Sequence, residues 1–173
     1  NLKDYYISIG RLTKQKNFNF LVNFFCRNKE LLKDKKLAII GEGEDRAKLE
    51  RLIKNNKIEE KIYLLGFKEN VYNYIFNCHT FISTAEYEDP GFALIESAFL
   101  RKKIISSLVD NGPKEMFDNG NICYFFNPNN TNEFLNAINL SKEDSKIKKI
   151  RALKYSKNFT IFSHFNELRK ILT

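Results

Sequence analysis

Three short apolar runs, each closed by a glycine, constrain this chain most: Tyr5-Tyr6-Ile7-Ser8-Ile9-Gly10, Lys36-Leu37-Ala38-Ile39-Ile40-Gly41 and Lys61-Ile62-Tyr63-Leu64-Leu65-Gly66. Each is short for a helix and too continuously apolar for a strand with one wet face. Helical periodicity fills the gaps between them. Behind Asn17, a residue type that caps helices, Phe18, Phe20, Leu21, Phe24 and Phe25 recur on one face. Leu49, Leu52 and Ile53 do the same in 44–55. A short helix over 71–77 leads to a fourth strand, Thr80-Phe81-Ile82-Ser83. Lys103-Ile104-Ile105-Ser106-Ser107 and Cys123-Tyr124-Phe125-Phe126 make a fifth and a sixth. Gly112-Pro113-Lys114-Glu115 opens a short helix with proline in its first turn. After Asn127-Pro128 the pattern is helical over 131–140, 142–157 and 161–172. Apolar strands alternating with amphipathic helices predict an α/β fold. It is a Rossmann-like three-layer αβα parallel sheet of about six strands, with additional C-terminal helices.

In such sheets ligands bind beyond the carboxyl ends of the strands. Gly10, Gly41 and Gly66 fall at those ends. So does Ala85-Glu86-Tyr87-Glu88-Asp89-Pro90-Gly91-Phe92-Ala93-Leu94-Ile95-Glu96-Ser97-Ala98. This stretch begins acidic, turns at Pro90-Gly91, then runs apolar to Leu100 with Glu96 as its one carboxylate. So little polar face predicts a buried helix, in which a carboxylate needs partners. Three readings of Glu88 and Glu96 are open. They can accept from vicinal hydroxyls of a ribose and a second polyhydroxylated group. They can be ordinary, with Glu88 exposed and Glu96 favouring the helix dipole. They can be a hydrolytic carboxylate pair. Between them the first N–H groups of the helix, at Gly91, Phe92 and Ala93, suit a phosphate.

Arg11 and Lys16 lie in the loop after the first strand. Arginine forks onto phosphate oxygens and lysine adds a point charge, so together they can neutralise a departing diphosphate. Alternatively they are plain surface cations. Gly41-Glu42-Gly43-Glu44 lacks the third glycine of a dinucleotide fingerprint, and no Walker pattern occurs.

The 173 residues suffice for one domain with its own core. Twenty-nine basic against 21 acidic residues leave a net charge of +8. That favours nucleotides, nucleic acid or an anionic membrane, or reflects a uniformly basic surface. Lys146, Lys148, Lys149, Arg151, Lys154 and Lys157 crowd one helix, as a solvated face or as a membrane-facing patch. Cys26, Cys78 and Cys123 are odd in number, widely spaced and without a CxxC, so reduced thiols are expected. No Asp-x-Asp occurs, Glu42/Glu44 and Glu86/Glu88 need not be ligands, and His79 and His164 are expected to be structural; no metal is expected. No apolar run has membrane-spanning length and no signal peptide is visible. The chain enters its first strand almost at once and reads as part of a longer protein.

Five segments in order resemble the C-terminal, donor-binding domain of retaining GT-B glycosyltransferases of the group 1 family, family 4. Gly10-Arg11-Leu12-Thr13-Lys14-Gln15-Lys16-Asn17 is similar to the family's Gly-Arg-Leu…Lys-Gly segment. Ile39-Ile40-Gly41-Glu42-Gly43 and Ile62-Tyr63-Leu64-Leu65-Gly66-Phe67 are similar to its next two strands and turns. Glu88 to Glu96 fits its Glu-x7-Glu signature, and Asn111-Gly112-Pro113-Lys114-Glu115 its Gly-Gly-Pro-x-Glu turn. Asp89-Pro90 and Asn111 depart from the usual residues.

The resemblance implies roles. Arg11 and Lys16 contact the donor diphosphate, and Glu88 holds hydroxyls of the transferred sugar; these three are the expected catalytic residues. Glu96 binds the ribose, and Phe67 and Lys68 lie against the base. Gly10, Gly91, Phe92, Ala93 and Leu94 complete the donor site. It also implies a nucleotide-sugar donor and no cofactor. The partner is an N-terminal acceptor domain outside this chain, without which residues 1–173 bind donor but do not transfer sugar. A cytoplasmic location, peripheral on the inner face of the plasma membrane, follows, and nucleic acid is not an expected partner. Two other readings compete. One is a non-catalytic α/β module binding nucleotide or nucleic acid; the other is a glycoside hydrolase, which leaves the basic loop unexplained.

Overall fold

The structure, a computed structural model, describes residues 4–88, 91–109, 112–117, 122–143 and 146–172. Six strands form one parallel sheet: β1 (Tyr6–Ile9), β2 (Leu37–Ile40), β3 (Ile62–Leu64), β4 (Thr80–Ser83), β5 (Lys103–Ser107) and β6 (Tyr124–Phe126). Their order is β3-β2-β1-β4-β5-β6. The helices are α1 (Phe18–Arg27), α2 (Arg46–Asn55), α3 (Tyr72–Asn77), α4 (Phe92–Phe99), α5 (Pro113–Met116), α6 (Thr131–Lys142), α7 (Lys146–Ser156) and α8 (Ile161–Leu172).

Because successive strand residues point to opposite faces, each strand feeds two cores. Tyr6, Leu37, Ile39, Ile82, Ile105 and Phe126 pack with residues of α1, α2 and α6. Ile7, Ala38, Ile40, Phe81 and Ile104 pack with residues of α3, α4 and α7. The continuous apolar runs are thereby explained. Phe134 of α6 is fully buried, its ring 4.6 Å from that of Phe24 and 4.7 Å from that of Phe126, which ties α6 to α1 and the β6 edge. Burying each such side chain contributes about 1.5–3 kcal/mol.

The strand-end glycines have a common cause. The Gly10 N–H donates to Ile40 O and the Gly41 N–H to Gly66 O, each at 3.0 Å, so the loops leaving β1, β2 and β3 are in backbone contact. Gly41 has φ +141°, and a Cβ there would fall 1.9 Å from Gly10 O. Only glycine fits.

Several boundaries differ from expectation. The second helix starts at Arg46 rather than 44, and the third at Tyr72. The expected 142–157 helix is divided, because α6 runs on to Lys142 and α7 ends at Ser156, where a 3-10 turn (Lys157–Phe159) begins. Asn17 does not cap α1: it sits in the left-handed region (φ 53°) with no side-chain capping bond, because it closes the 3-10 turn Lys14–Lys16. Asp89-Pro90 and Asn111 lie outside the described residues.

Cys26, Cys78 and Cys123 are free and buried. His79 is structural, as expected. Its backbone N–H donates to Tyr5 O (2.7 Å), Nδ1 lies 2.6 Å from Thr80 Oγ1, and the ring meets Tyr6 edge-on. Burial, aided by Lys35 and Lys103, lowers its pKa from 6.5 to about 4. The unfolded chain therefore takes up a proton that the folded imidazole refuses, and the resulting stability is present above pH 6.5 and lost as pH falls towards 4. Urea unfolding from pH 7 down to 4.5 should show a decline to which His79 contributes roughly 1–2 kcal/mol, less than a fully buried ring would because this one is only half-buried. A His79→Gln variant should lack that part of the slope; an unchanged slope refutes the assignment.

Candidate functional site

The order β3-β2-β1-β4-β5-β6 puts a topological switch point between β1 and β4. The chain leaves β1 towards α1 on one face and β4 towards α4 on the other. β1 registers with β2 at four residues but with β4 only at Tyr6 and Ile7. Beyond that the two loops are joined by side chains and by one main-chain bond, from the Glu86 N–H to Gln15 O.

The loop after β1 delivers Lys16. Its stem crosses Gly10, where a Cβ would come within 3.4 Å of Lys16 Cγ and Cδ. Its Nζ is 2.6 Å from Glu88 Oε1, with side-chain exposures of 23% and 9%. Glu88 is therefore a buried residue with a cationic partner, which overturns the ordinary exposed reading. A partly buried pair adds little net stability but fixes geometry. Gly91 makes room for it. With φ +79° and a hypothetical Cβ 2.8 Å from Glu88 Cγ and 3.0 Å from Leu94 Cδ1, a side chain there meets strain and clash together.

Helix α4 begins directly after Gly91. Its first helical hydrogen bonds are those of the Leu94 and Ile95 N–H groups to Gly91 O. The N–H groups of Gly91, Phe92 and Ala93 have no acceptor among the described residues, as the first turn of a helix predicts. Two expectations need correction. The helix is not buried all round, since Phe92 at its exposed N-terminus is 70% accessible. Leu94 belongs to the core: its side chain is 1% exposed and its N–H is used within the helix, so neither is available to a ligand.

Glu96 lies one turn on, half-buried, with Oε1 accepting from Tyr72 Oη at 3.2 Å. Burial raises its pKa, and the Tyr72 bond works against the rise. The charge of Glu96 in turn raises the pKa of Tyr72. Tyr72 is not foreseeable from its place in a polar stretch; the signal would have been its proximity to the loop after β3.

Gly10, Arg11, Phe67 and Lys68 meet in one cleft of about 450 Å³. Ile9, Ile40, Gly41, Glu42 and Val71 complete its largely apolar wall. Phe67 is 72% exposed, and Arg11 is exposed without an ion-pair partner among the described residues. The predicted residues thus fall into three adjoining groups. The Lys16 stem on Gly10 links the cleft to the Glu88 pair, and Val71-Tyr72 links it to Glu96. Among the described residues no group of three or more His, Cys, Asp or Glu side chains converges as a metal site.

The family model for glycosyl transferases group 1 matches residues 2–159. This chain belongs to the glycosyl transferases group 1 family. One group 1 relative is the Campylobacter jejuni N-acetylgalactosamine-N,N'-diacetylbacillosaminyl-diphospho-undecaprenol 4-alpha-N-acetylgalactosaminyltransferase. It is 34% identical over 149 residues, which cover 86% of this chain and 40% of the relative. A Staphylococcus aureus TarM variant, solved with Fondaparinux, alpha-GlcNAc-glycerol and UDP, superposes with a TM-score of 0.85 at 19% identity, over 99% of this chain and 36% of that one. Anabaena HepE, solved with UDP and glucose, gives 0.84 at 17% identity, over 98% of this chain and 48% of that one. The chain thus spans less than half the length of each of these proteins, and its fold is that of one GT-B half.

Gly91→Ala should destabilise the domain by about 1–3 kcal/mol, from left-handed strain plus the contact with Glu88. Urea unfolding of the pure variant checks it; a change below about 0.5 kcal/mol, the usual surface range, shows that the loop accommodates a side chain.

Proposed function

We propose that this chain is the donor-binding half of a retaining glycosyltransferase that takes a sugar from a nucleoside diphosphate sugar of UDP or GDP type. The acceptor is a glycan or a lipid-linked glycan in cell-surface polysaccharide, lipopolysaccharide or glycoprotein glycan synthesis. The observation that carries this reading is the meeting of Lys16 with Glu88 at the switch point, next to the Arg11–Phe67 cleft. UDP in the solved relatives favours uridine as the base.

Each residue then has a task. Phe67 offers a ring face to the base beside Lys68, and Glu96 accepts from the ribose hydroxyls with the oxygen that Tyr72 leaves free. Arg11 and Lys16 lie on the diphosphate. As the bond from the anomeric carbon to the diphosphate oxygen breaks, negative charge grows on the leaving group, and these cations meet it in place of a bound metal. Glu88 orients the sugar hydroxyls, and the Gly91, Phe92 and Ala93 N–H groups face the sugar and phosphate. Preorganised charge of this kind supplies about 3–4 kcal/mol per donor removed in other enzymes. The acceptor domain lies outside residues 1–173, so this half alone binds donor without transferring sugar.

A basic helix supports an anionic membrane as the site of action. On α7, Lys146, Arg151 and Lys154 are exposed together with Ile147 and Ile150, so a basic surface carrying two apolar side chains is open to an anionic membrane. No helix among the described residues is long and apolar enough to cross a membrane.

Calorimetric titration with UDP, GDP and their sugars should detect one diphosphate. Arg11→Ala and Glu96→Ala should each weaken it about tenfold, as expected for a charge-assisted contact. Binding of RNA or DNA with a steep salt slope and of no nucleoside diphosphate would overturn the reading in favour of a nucleic-acid module. Sedimentation with phosphatidylglycerol vesicles should retain the chain at low salt and release it near 0.5 M, a range in which surface charge is heavily screened. Lys146→Glu with Lys154→Glu should abolish retention; no retention at any salt removes the membrane component.

A further inference from the structure

The buried hydroxyl of Thr84 has no task in the donor site as drawn above. Thr84 follows β4 and is 2% exposed. Its Oγ1 lies 3.1 Å from Lys16 O and 3.1 Å from Asn17 O, and donates between them. Those carbonyls belong to the corner where the 3-10 turn ends, Asn17 enters the left-handed region and α1 begins. The same corner is gripped twice more from the β4 loop. The Glu86 N–H donates to Gln15 O at 2.8 Å, and Gln15 Nε2 donates to Tyr87 O at 3.1 Å. A third tie closes from the far edge: Asn129 links Asn17 Nδ2 (2.9 Å) to Glu86 Oε1 (3.1 Å).

Lys16 stands on this corner, and its long stem makes the Nζ position sensitive to any backbone shift. We propose that Thr84 is a positioning residue for Lys16: it holds the loop after β1 against the loop after β4 so that Nζ stays between Glu88 and the donor diphosphate. The alternative, a merely structural hydroxyl, predicts the same stability loss but no link to Lys16. Valine has the shape of threonine without the donor, so Thr84→Val takes the hydroxyl donor from the part-buried Lys16 O, while Asn17 O still accepts from the Phe20 and Leu21 N–H groups. Serine keeps the donor. This inference rests on the donor-site reading, and its test separates the two.

The experiment titrates the chain with UDP, or with GDP if that is the diphosphate the wild type binds. Lys16→Ala should weaken binding about tenfold and Thr84→Val about fivefold, with Thr84→Ser within about twofold of wild type. The double variant should bind no more weakly than Lys16→Ala alone, because Thr84 acts only through that side chain. Wild-type affinity in Thr84→Val, additivity with Lys16→Ala, or a Thr84→Ser as weak as Thr84→Val overturns the inference and leaves the donor site intact. Absence of any nucleoside diphosphate binding by the wild type overturns the donor site and this inference with it. Should Thr84→Val not fold, Gln15→Ala takes its place, since Gln15 is exposed and grips the same corner. It should weaken binding about threefold, and not at all in the Lys16→Ala background; unchanged affinity in the single variant overturns the proposal.

Discussion

At the ends of β1 and β4 the backbone ladder runs out, and the loops that leave there diverge to opposite faces of the sheet. The geometry of the candidate site depends on how those loops are held. A parallel sheet binds its neighbours through main-chain hydrogen bonds, which carry no side-chain information. Where the ladder stops, side chains do most of the joining: Thr84, Gln15 and Asn129 and the Lys16–Glu88 pair, beside one main-chain bond from the Glu86 N–H to Gln15 O. The switch point is thus the place where the register between neighbouring strands is shortest and where cations, carboxylates and helix N–H groups gather.

The two faces pull in different ways on this seam. On one, α1 is locked by the Phe20, Phe24, Phe25, Phe126 and Phe134 cluster, which fixes the origin of the Lys16 loop. On the other, α4 packs through Leu94, Ile95 and Ala98, which fixes the N-terminus that follows Gly91. Two rigid bodies set the distance, and the loops between them need few residues to present the chemistry. The glycine contacts at Gly10, Gly41 and Gly66 serve the same end, since they keep the three neighbouring loops low and leave the cleft above them open.

Much of this was legible in the sequence. Apolar strands alternating with helical periods dictate a parallel sheet covered twice, and the six strands appear where the patterns put them. Helix ends were less legible, because they depend on local competition: Asn17 reads as a cap, yet the turn before it demands a left-handed residue and asparagine tolerates one. The apolar run after Gly91 reads as buried throughout, yet a helix that starts at an open cleft leaves its first residue, Phe92, in solvent. Leu94 sits among the expected ligand contacts in sequence, but helical geometry turns it one residue away from them and into the core.

The sequence by itself determined the fold class, the strand edge on which a ligand site forms, and the residue types gathered there, because periodicity and strand-end glycines are local properties. It could not decide which cation meets which carboxylate. Arg11 and Lys16 share a loop, and Glu88 and Glu96 share a signature. Only the tertiary structure pairs Lys16 with Glu88, gives Glu96 to Tyr72, and leaves Arg11 to the cleft. The reason is physical: these contacts join residues separated by 24 to 72 positions. The Lys16–Glu88 contact exists only because the crossover at the switch point brings the ends of β1 and β4 side by side, and the Glu96–Tyr72 contact because α3 and α4 pack on the same face of the sheet.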